Sequence, residues 1–172
     1  MELLPLNNDE LVSIAAGWLA EKRNYQWLDF GNGVQQLSAV ALKIMAQKDN
    51  HVLRVFTSDD DRPIGIVGLG NVDRTFKIAT LWAALGEKGY ARKGYAIRAI
   101  TEIMTYGFGE LGLGVINAWF VEGNPASPHI VEHFNFKPIG RQRRCHYIDG
   151  RAYDRLWFDL LASEYNPHRE AA

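Results

Sequence analysis

Apolar positions along this chain change period several times, and each change marks an element. Leu11, Val12, Ile14, Ala15, Trp18 and Leu19 recur at helical spacing after an Asn8-Asp9 start signal. A second helical stretch, Val40 to Met45, lies within Gln35–Gln47. Between them, Asn24 to Gly33 carries Tyr25, Trp27 and Phe30 and is punctuated by Gly31 and Gly33. The period then shortens. His51 to Phe56 and Ile64 to Leu69 read as strands joined by the polar turn Ser58 to Pro63, a hairpin. Phe76 to Leu85 reads as a third strand. Ala96, Ile97, Ala99, Ile100, Ile103 and Met104 return to helical spacing, which predicts a helix from Tyr95 to about Phe108 with Gly112 and Gly114 beyond it. Val115 to Val121 is the next strand, and Asn124 to Pro128 opens a short helix reaching about Phe134. Gln142 to Ile148 and Tyr153 to Leu160 flank Asp149-Gly150, a strong hairpin signal.

The predicted order is ααβββαβαββ in a single domain over residues 1–172, with its core at about 8–164 and a frayed tail from Asn166 to Ala172. The fold class is mixed α/β (α+β), a mostly antiparallel central sheet flanked by helices. One parallel strand pair is expected to form by a right-handed crossover through the helix that starts at Tyr95.

Composition narrows the class. The 172 residues suffice for one domain with a sizeable core. A net charge of −1 provides no bulk attraction to nucleic acid or an anionic membrane, so neither is an expected partner. Cys145 is the only cysteine, which excludes an internal disulfide and a multi-cysteine zinc site and suits a reducing cytoplasm. Met1 to Pro5 has no cationic start or long apolar run, so neither a signal peptide nor a membrane span is expected.

The chemistry concentrates in Gly86 to Ala96, a glycine-rich basic loop between the third strand and a helix. A helix N-terminus directs free N–H groups and partial positive charge at whatever lies there. Arg92 and Lys93 add full charges, so the expected ligand carries phosphates. Two nucleotide motifs fail. Gly89 and Gly94 have P-loop spacing, but Tyr95 and Ala96 replace the required Lys and Ser/Thr. Gly68-Leu69-Gly70 continues as Asn71-Val72-Asp73 and lacks the third glycine of a dinucleotide fingerprint. Taken by itself, such a loop reads first as a surface turn, because glycine is the default turn residue.

Four motifs together resemble the GNAT superfamily of acyl-CoA-dependent N-acetyltransferases, and most closely its ribosomal-protein-alanine acetyltransferase-like branch. Arg62-Pro63-Ile64-Gly65 is similar to the start of a central strand in that family. Arg92-Lys93-Gly94-Tyr95-Ala96 resembles its pyrophosphate loop. Asn124-Pro125-Ala126-Ser127 followed by Glu132 to Phe136, and Asp149-Gly150-Arg151-Ala152-Tyr153-Asp154, resemble two later motifs. The loop departs from the family at Ala91, where Gln or Arg is usual, and in its long approach from Gly86 to Tyr90. Asn135 replaces a glycine.

The resemblance implies acetyl-CoA as co-substrate, no metal, and direct acetyl transfer to a primary amine on a small molecule or a protein N-terminus. It implies that the strand ending at Ala84 and Leu85 splays from its neighbour and offers backbone groups to the pantetheine arm and the carbonyl. Arg92, Lys93, Gly94, Tyr95 and Ala96 would hold the pyrophosphate, and Asn124 and Ser127 the pantetheine and sulfur; helix capping is the alternative for both. The tyrosine with which many relatives protonate the thiolate is replaced here by Val131, which leaves Ser127 or water for that role. Glu122 and His146 are the candidate general bases, with a solvated glutamate and a structural histidine as the bland alternatives. Tyr25, Trp27 and Phe30 would line the acceptor pocket or pack the core. Arg141, Arg143 and Arg144 read as a charged strand edge. Two rival functions stay open: a CoA-binding regulatory domain without catalysis, and transfer of a larger acyl group such as succinyl. The state in solution would be monomer or homodimer.

Overall fold

The computed structural model describes residues 1–31 and 33–168. Its elements are β1 (Leu3–Pro5), α1 (Asp9–Ala20), α2 (Lys22–Tyr25), α3 (Ala39–Ala46), β2 (Val52–Thr57), β3 (Pro63–Asp73), β4 (Ile78–Leu85), α4 (Tyr95–Gly109), β5 (Val115–Val121), α5 (Ser127–His133), β6 (Lys137–Ile148) and β7 (Arg151–Leu161). The helix starts follow local chemistry. Asn8 Oδ1 accepts from Leu11 N at 2.8 Å and Ser38 Oγ from Ala41 N at 3.1 Å, each satisfying an orphan first-turn donor.

All seven strands form one sheet in the order β1-β2-β3-β4-β5-β7-β6. Every neighbouring pair is antiparallel except β4 and β5. Those two are connected through α4, the crossover that the chain pattern predicts. Each face of the sheet has its own apolar core. One gathers Phe56, Val67, Leu69, Leu81, Ile116 and Phe120 under Ile100, Ile103 and Met104 of α4. The other packs Leu53, Val55, Ile66 and Ala84 beneath Leu11, Ala15, Trp18 and Leu19 of α1 and Leu42 of α3. Gly68 belongs to this second packing. A Cβ on it would come within 2.7 Å of the Leu53 side chain, so Gly68 serves strand packing.

Four features differ from the sequence expectation. β1 is a three-residue edge strand held only by β2, a long-range pairing that no local pattern announces. α2 is a single turn after α1. β6 begins at Lys137, before the predicted Gln142; Pro138 and Gly140 fit there because β6 is an edge strand with irregular register. α5 begins at Ser127, because Asn124 shapes the preceding turn. Residues 169–172 of the predicted frayed tail lie outside the described residues.

Candidate active site

β4 and β5 pair only at Ile78↔Val115, Ala79↔Ile116 and Thr80↔Asn117. Beyond these they part, leaving Leu81–Leu85 and Ala118–Val121 on the two sides of a gap in the sheet. Gly86 N donates to Ile64 O of β3 at 2.9 Å. Strand alternation therefore turns the backbone of Ala84 toward β3 and that of Ala83 and Leu85 into the gap. The splay expected at Ala84 and Leu85 is present, with Ala83 in place of Ala84 as the residue whose peptide groups face it. Leu85 O accepts from Lys88 Nζ at 2.6 Å, and the same ammonium donates to Asn24 Oδ1 at 2.6 Å. Lys88, which the motifs did not single out, thus ties the end of β4 to the α1–α2 corner.

The chain leaves β4 through a single 3-10 turn at Lys88–Tyr90 and enters α4 at the open end of this gap. Gly94 caps α4 with φ +82° and no side chain. A Cβ there would meet no protein atom within 4 Å, so the space above the helix terminus is open. The first bond of α4 is Arg98 N to Gly94 O. Among the described residues no acceptor meets the N–H groups of Tyr95, Ala96 and Ile97. Arg92, itself at φ +59°, and Lys93 are exposed beside them. The result is an open cluster of donors and positive charge, the chemistry a pyrophosphate needs. Tyr95 takes part through its backbone, because its hydroxyl donates to Asp59 Oδ2 at 2.9 Å. Arg98 also reaches Asp59, at 3.0 Å, and the hydrogen bond from Tyr95 and then that from Arg98 hold the Asp59 carboxyl below its usual range. The β2–β3 turn thereby fixes the first turn of α4.

β5 runs parallel to β4, so its C-terminal end opens toward the same end of the sheet. Asn124 folds the following turn: its N–H donates to Val121 O, and its Oδ1 accepts from Ala126 N at 3.1 Å. Ser127 begins α5, half-buried, and its hydroxyl has no partner among the described residues. Val131 lies in the core, 7% exposed. Glu122 is exposed and paired with Arg141 at 3.3 Å, and Arg141 also reaches Asp154 at 3.1 Å.

His146 lies elsewhere, on the sheet face away from α4, and is 2% exposed. Its Nδ1 accepts from Arg155 Nη2 at 3.0 Å, and its Nε2 stands 2.7 Å from Gln26 O. Burial chiefly pushes its pKa down, so it is neutral at physiological pH. Arg155 also pairs with Asp29 and lies 4.2 Å over the Trp119 ring. Trp119 faces Trp157 across β5 and β7, with 6.2 Å between ring centroids. Next to Asp29, Phe30 packs edge-on against Trp82 of β4 at 5.1 Å. Tyr25, Trp27 and Phe30 are all half-buried. Pattern reading omitted Trp82, Trp119, Trp157, Arg155 and Asp29. The one available signal was period-2 alternation, which sets Trp119 and Val121 on the face of β5 opposite its core-facing Ile116, Ala118 and Phe120.

The family described as acetyltransferase (GNAT) domain matches residues 1–137. The chain is 26% identical over 132 residues to an uncharacterized N-acetyltransferase, p20, of Bacillus licheniformis, covering 77% of this chain and 71% of that one. It is 29% identical over 103 residues, 59% of this chain and 55% of the other, to YdaF of Bacillus subtilis (strain 168), provisionally named a ribosomal N-acetyltransferase. Its fold is similar to a crystal structure of spermidine N-acetyltransferase from Vibrio cholerae in complex with CoA and spermine. The TM-score is 0.84 at 20% identity, over 95% of this chain and 96% of the other. Among the described residues, no helix is long and apolar enough to cross a membrane.

Proposed function

The protein belongs to the GNAT acetyltransferase family, and on that premise we propose that it moves the acetyl group of acetyl-CoA directly onto a primary amine. It is an acyltransferase, and acetyl-CoA is its co-substrate. The carrying observation is the convergence of two features at one end of the sheet: the gap that opens beyond Thr80 and Asn117, and the unpaired N–H groups at the start of α4.

In this reading, residues 8–164 form one catalytic domain. The N–H groups of Gly94 to Ile97 hold the pyrophosphate, with Arg92 and Lys93 supplying charge. Each anion contact at an exposed helix terminus contributes about 0.3–1 kcal/mol, so several act together. The pantetheine arm lies along β4 and bonds the peptide groups of Ala83 and Leu85. Asn124 shapes the opposite wall, and its amide nitrogen is available to the arm. The attacking amine must be neutral. Its nitrogen bonds to the thioester carbon, the C–S bond breaks, and the sulfur leaves with the electron pair. A gap-facing N–H of β4 stabilises the developing oxyanion, a contribution worth about 3 kcal/mol when such a donor is preorganised. Ser127, whose hydroxyl is uncommitted, donates to the departing sulfur. Water carries the ammonium proton outward, because Glu122 is engaged by Arg141 and both nitrogens of His146 are occupied.

Two amines are the first to try: a polyamine, which the spermidine N-acetyltransferase suggests, and a protein N-terminus, which the sequence motifs suggest. The test is thiol release from acetyl-CoA with spermidine, an alanine-initiated peptide and a wider set of primary amines. The Arg92→Ala/Lys93→Ala double variant serves as control. Amine-dependent release that weakens in the control supports the reading. Acetyl-CoA binding without release on any amine favours a binding-only role, and no binding at all overturns it.

A further inference from the structure

Asp29 and Phe30 are adjacent in the chain, yet they grip opposite sides of the gap. Phe30 packs on Trp82 of β4, and Asp29 pairs with Arg155 of β7. Gln26, three residues earlier, meets His146 of β6 through its carbonyl. The segment Gln26–Phe30 is therefore a strap across the splay, on the face opposite α4. Its attachment is unusual in this molecule. Asp29 and Arg155 are 12% and 13% exposed, whereas every other ion pair among the described residues has a partner at least half exposed. Breaking a pair so largely withdrawn from solvent on one side is costly, because the remaining charge is left poorly solvated and without compensation. Arg155 has no slack: its guanidinium serves Asp29, His146 Nδ1 and the face of Trp119 together. The second Asp29 oxygen accepts from Gly31 N at 3.0 Å, so the same carboxylate also shapes the end of the strap.

We infer that Arg155 is a positioning residue that fastens the Gln26–Phe30 strap across the gap, and that the strap so held shields the thioester from water. The inference rests on the transferase reading above. Without the strap, water reaches the thioester. Water then adds to the carbonyl carbon, the C–S bond breaks, and acetate and the CoA thiol are released. A lysine at position 155 keeps the charge but lacks the planar fork that meets Asp29 and His146 at once.

The experiment compares wild type, Asp29→Asn and Arg155→Lys in three measurements. These are hydrogen exchange at the amides of Trp27, Leu28, Phe30 and Gly31, acetyl-CoA affinity by calorimetry, and acetyl-CoA hydrolysis without amine. In both variants the strap amides should lose protection by about tenfold or more while those of α4 keep theirs. Acetyl-CoA affinity should change less than about threefold, and hydrolysis should rise about fivefold or more. Unchanged strap exchange, or a loss of protection as large in α4 as in the strap, overturns the inference. So does a strap that opens without faster hydrolysis in an enzyme that still binds acetyl-CoA. A wild-type protein that binds no acetyl-CoA overturns the transferase reading instead, a result separable from the others.

Discussion

Gly86 runs beneath the indole of Trp18 so closely that a Cβ on it would lie 2.1 Å from the ring. Trp18 is 6% exposed and its Nε1 donates to Glu87 Oε1 at 3.3 Å, so α1 clamps the chain just where it leaves β4. A methyl group cannot enter without displacing that ring. Gly86→Ala should cost about 1–3 kcal/mol, a fall of several degrees in Tm for a chain of this size. Gly89, three residues on, has open space at its Cβ and no positive φ, so Gly89→Ala should stay within about 0.5 kcal/mol of wild type. Thermal denaturation of the two variants side by side checks the contrast.

Gly94 presents the opposite case. No protein atom opposes a Cβ there, but φ is +82°. An L-residue in that conformation costs about 1–2 kcal/mol, and the new methyl group would occupy the space proposed for the pyrophosphate. Gly94→Ala should weaken acetyl-CoA binding by about tenfold while α4 remains helical. Calorimetry with acetyl-CoA, alongside circular dichroism, reads both.

Ser127 offers a hydroxyl that the fold does not use. Ser127→Ala should therefore leave Tm within about 0.5 kcal/mol of wild type. It should lower kcat by about tenfold or more with little change in acetyl-CoA affinity. Steady-state kinetics on the first amine found to release thiol tests this, and an unchanged kcat would remove Ser127 from the mechanism.

His146 gives the fold a pH dependence whose sign follows from its burial. Its folded pKa lies below the ordinary value of 6.5, chiefly through desolvation. The unfolded chain therefore binds the extra proton first. The stability held at neutral pH falls as pH drops below about 6.5 toward the folded pKa. His51 shifts the same way, by burial and then by the charge of Lys48. His146→Gln should flatten, without abolishing, the loss of Tm between pH 7 and 5.5, read by thermal denaturation across that range. Asp59 and Asp154, both held low, act only below the ordinary carboxylate pKa near 3.8 and leave this window clear.

The chain alone specified whatever rests on neighbours in sequence. The periodicity of Leu11 to Leu19 and of Ala96 to Met104 encodes α1 and α4. Asp149-Gly150 encodes the β6–β7 turn, and the glycine loop before Tyr95 announces an anion site. Helical and strand periods and turn preferences act over a few residues, so they can be read without the fold. Tertiary structure decided what depends on distance. β1 exists because Leu3 meets Phe56, and Gly86 is required because Trp18 lies across it. Residues 29 and 155 become one ion pair only when the splayed sheet and the strap come together. The Asp29–Arg155 pair is largely withdrawn from solvent whereas the Glu122–Arg141 pair is half exposed, and solvent exposure is a property of the assembled molecule that no local pattern carries.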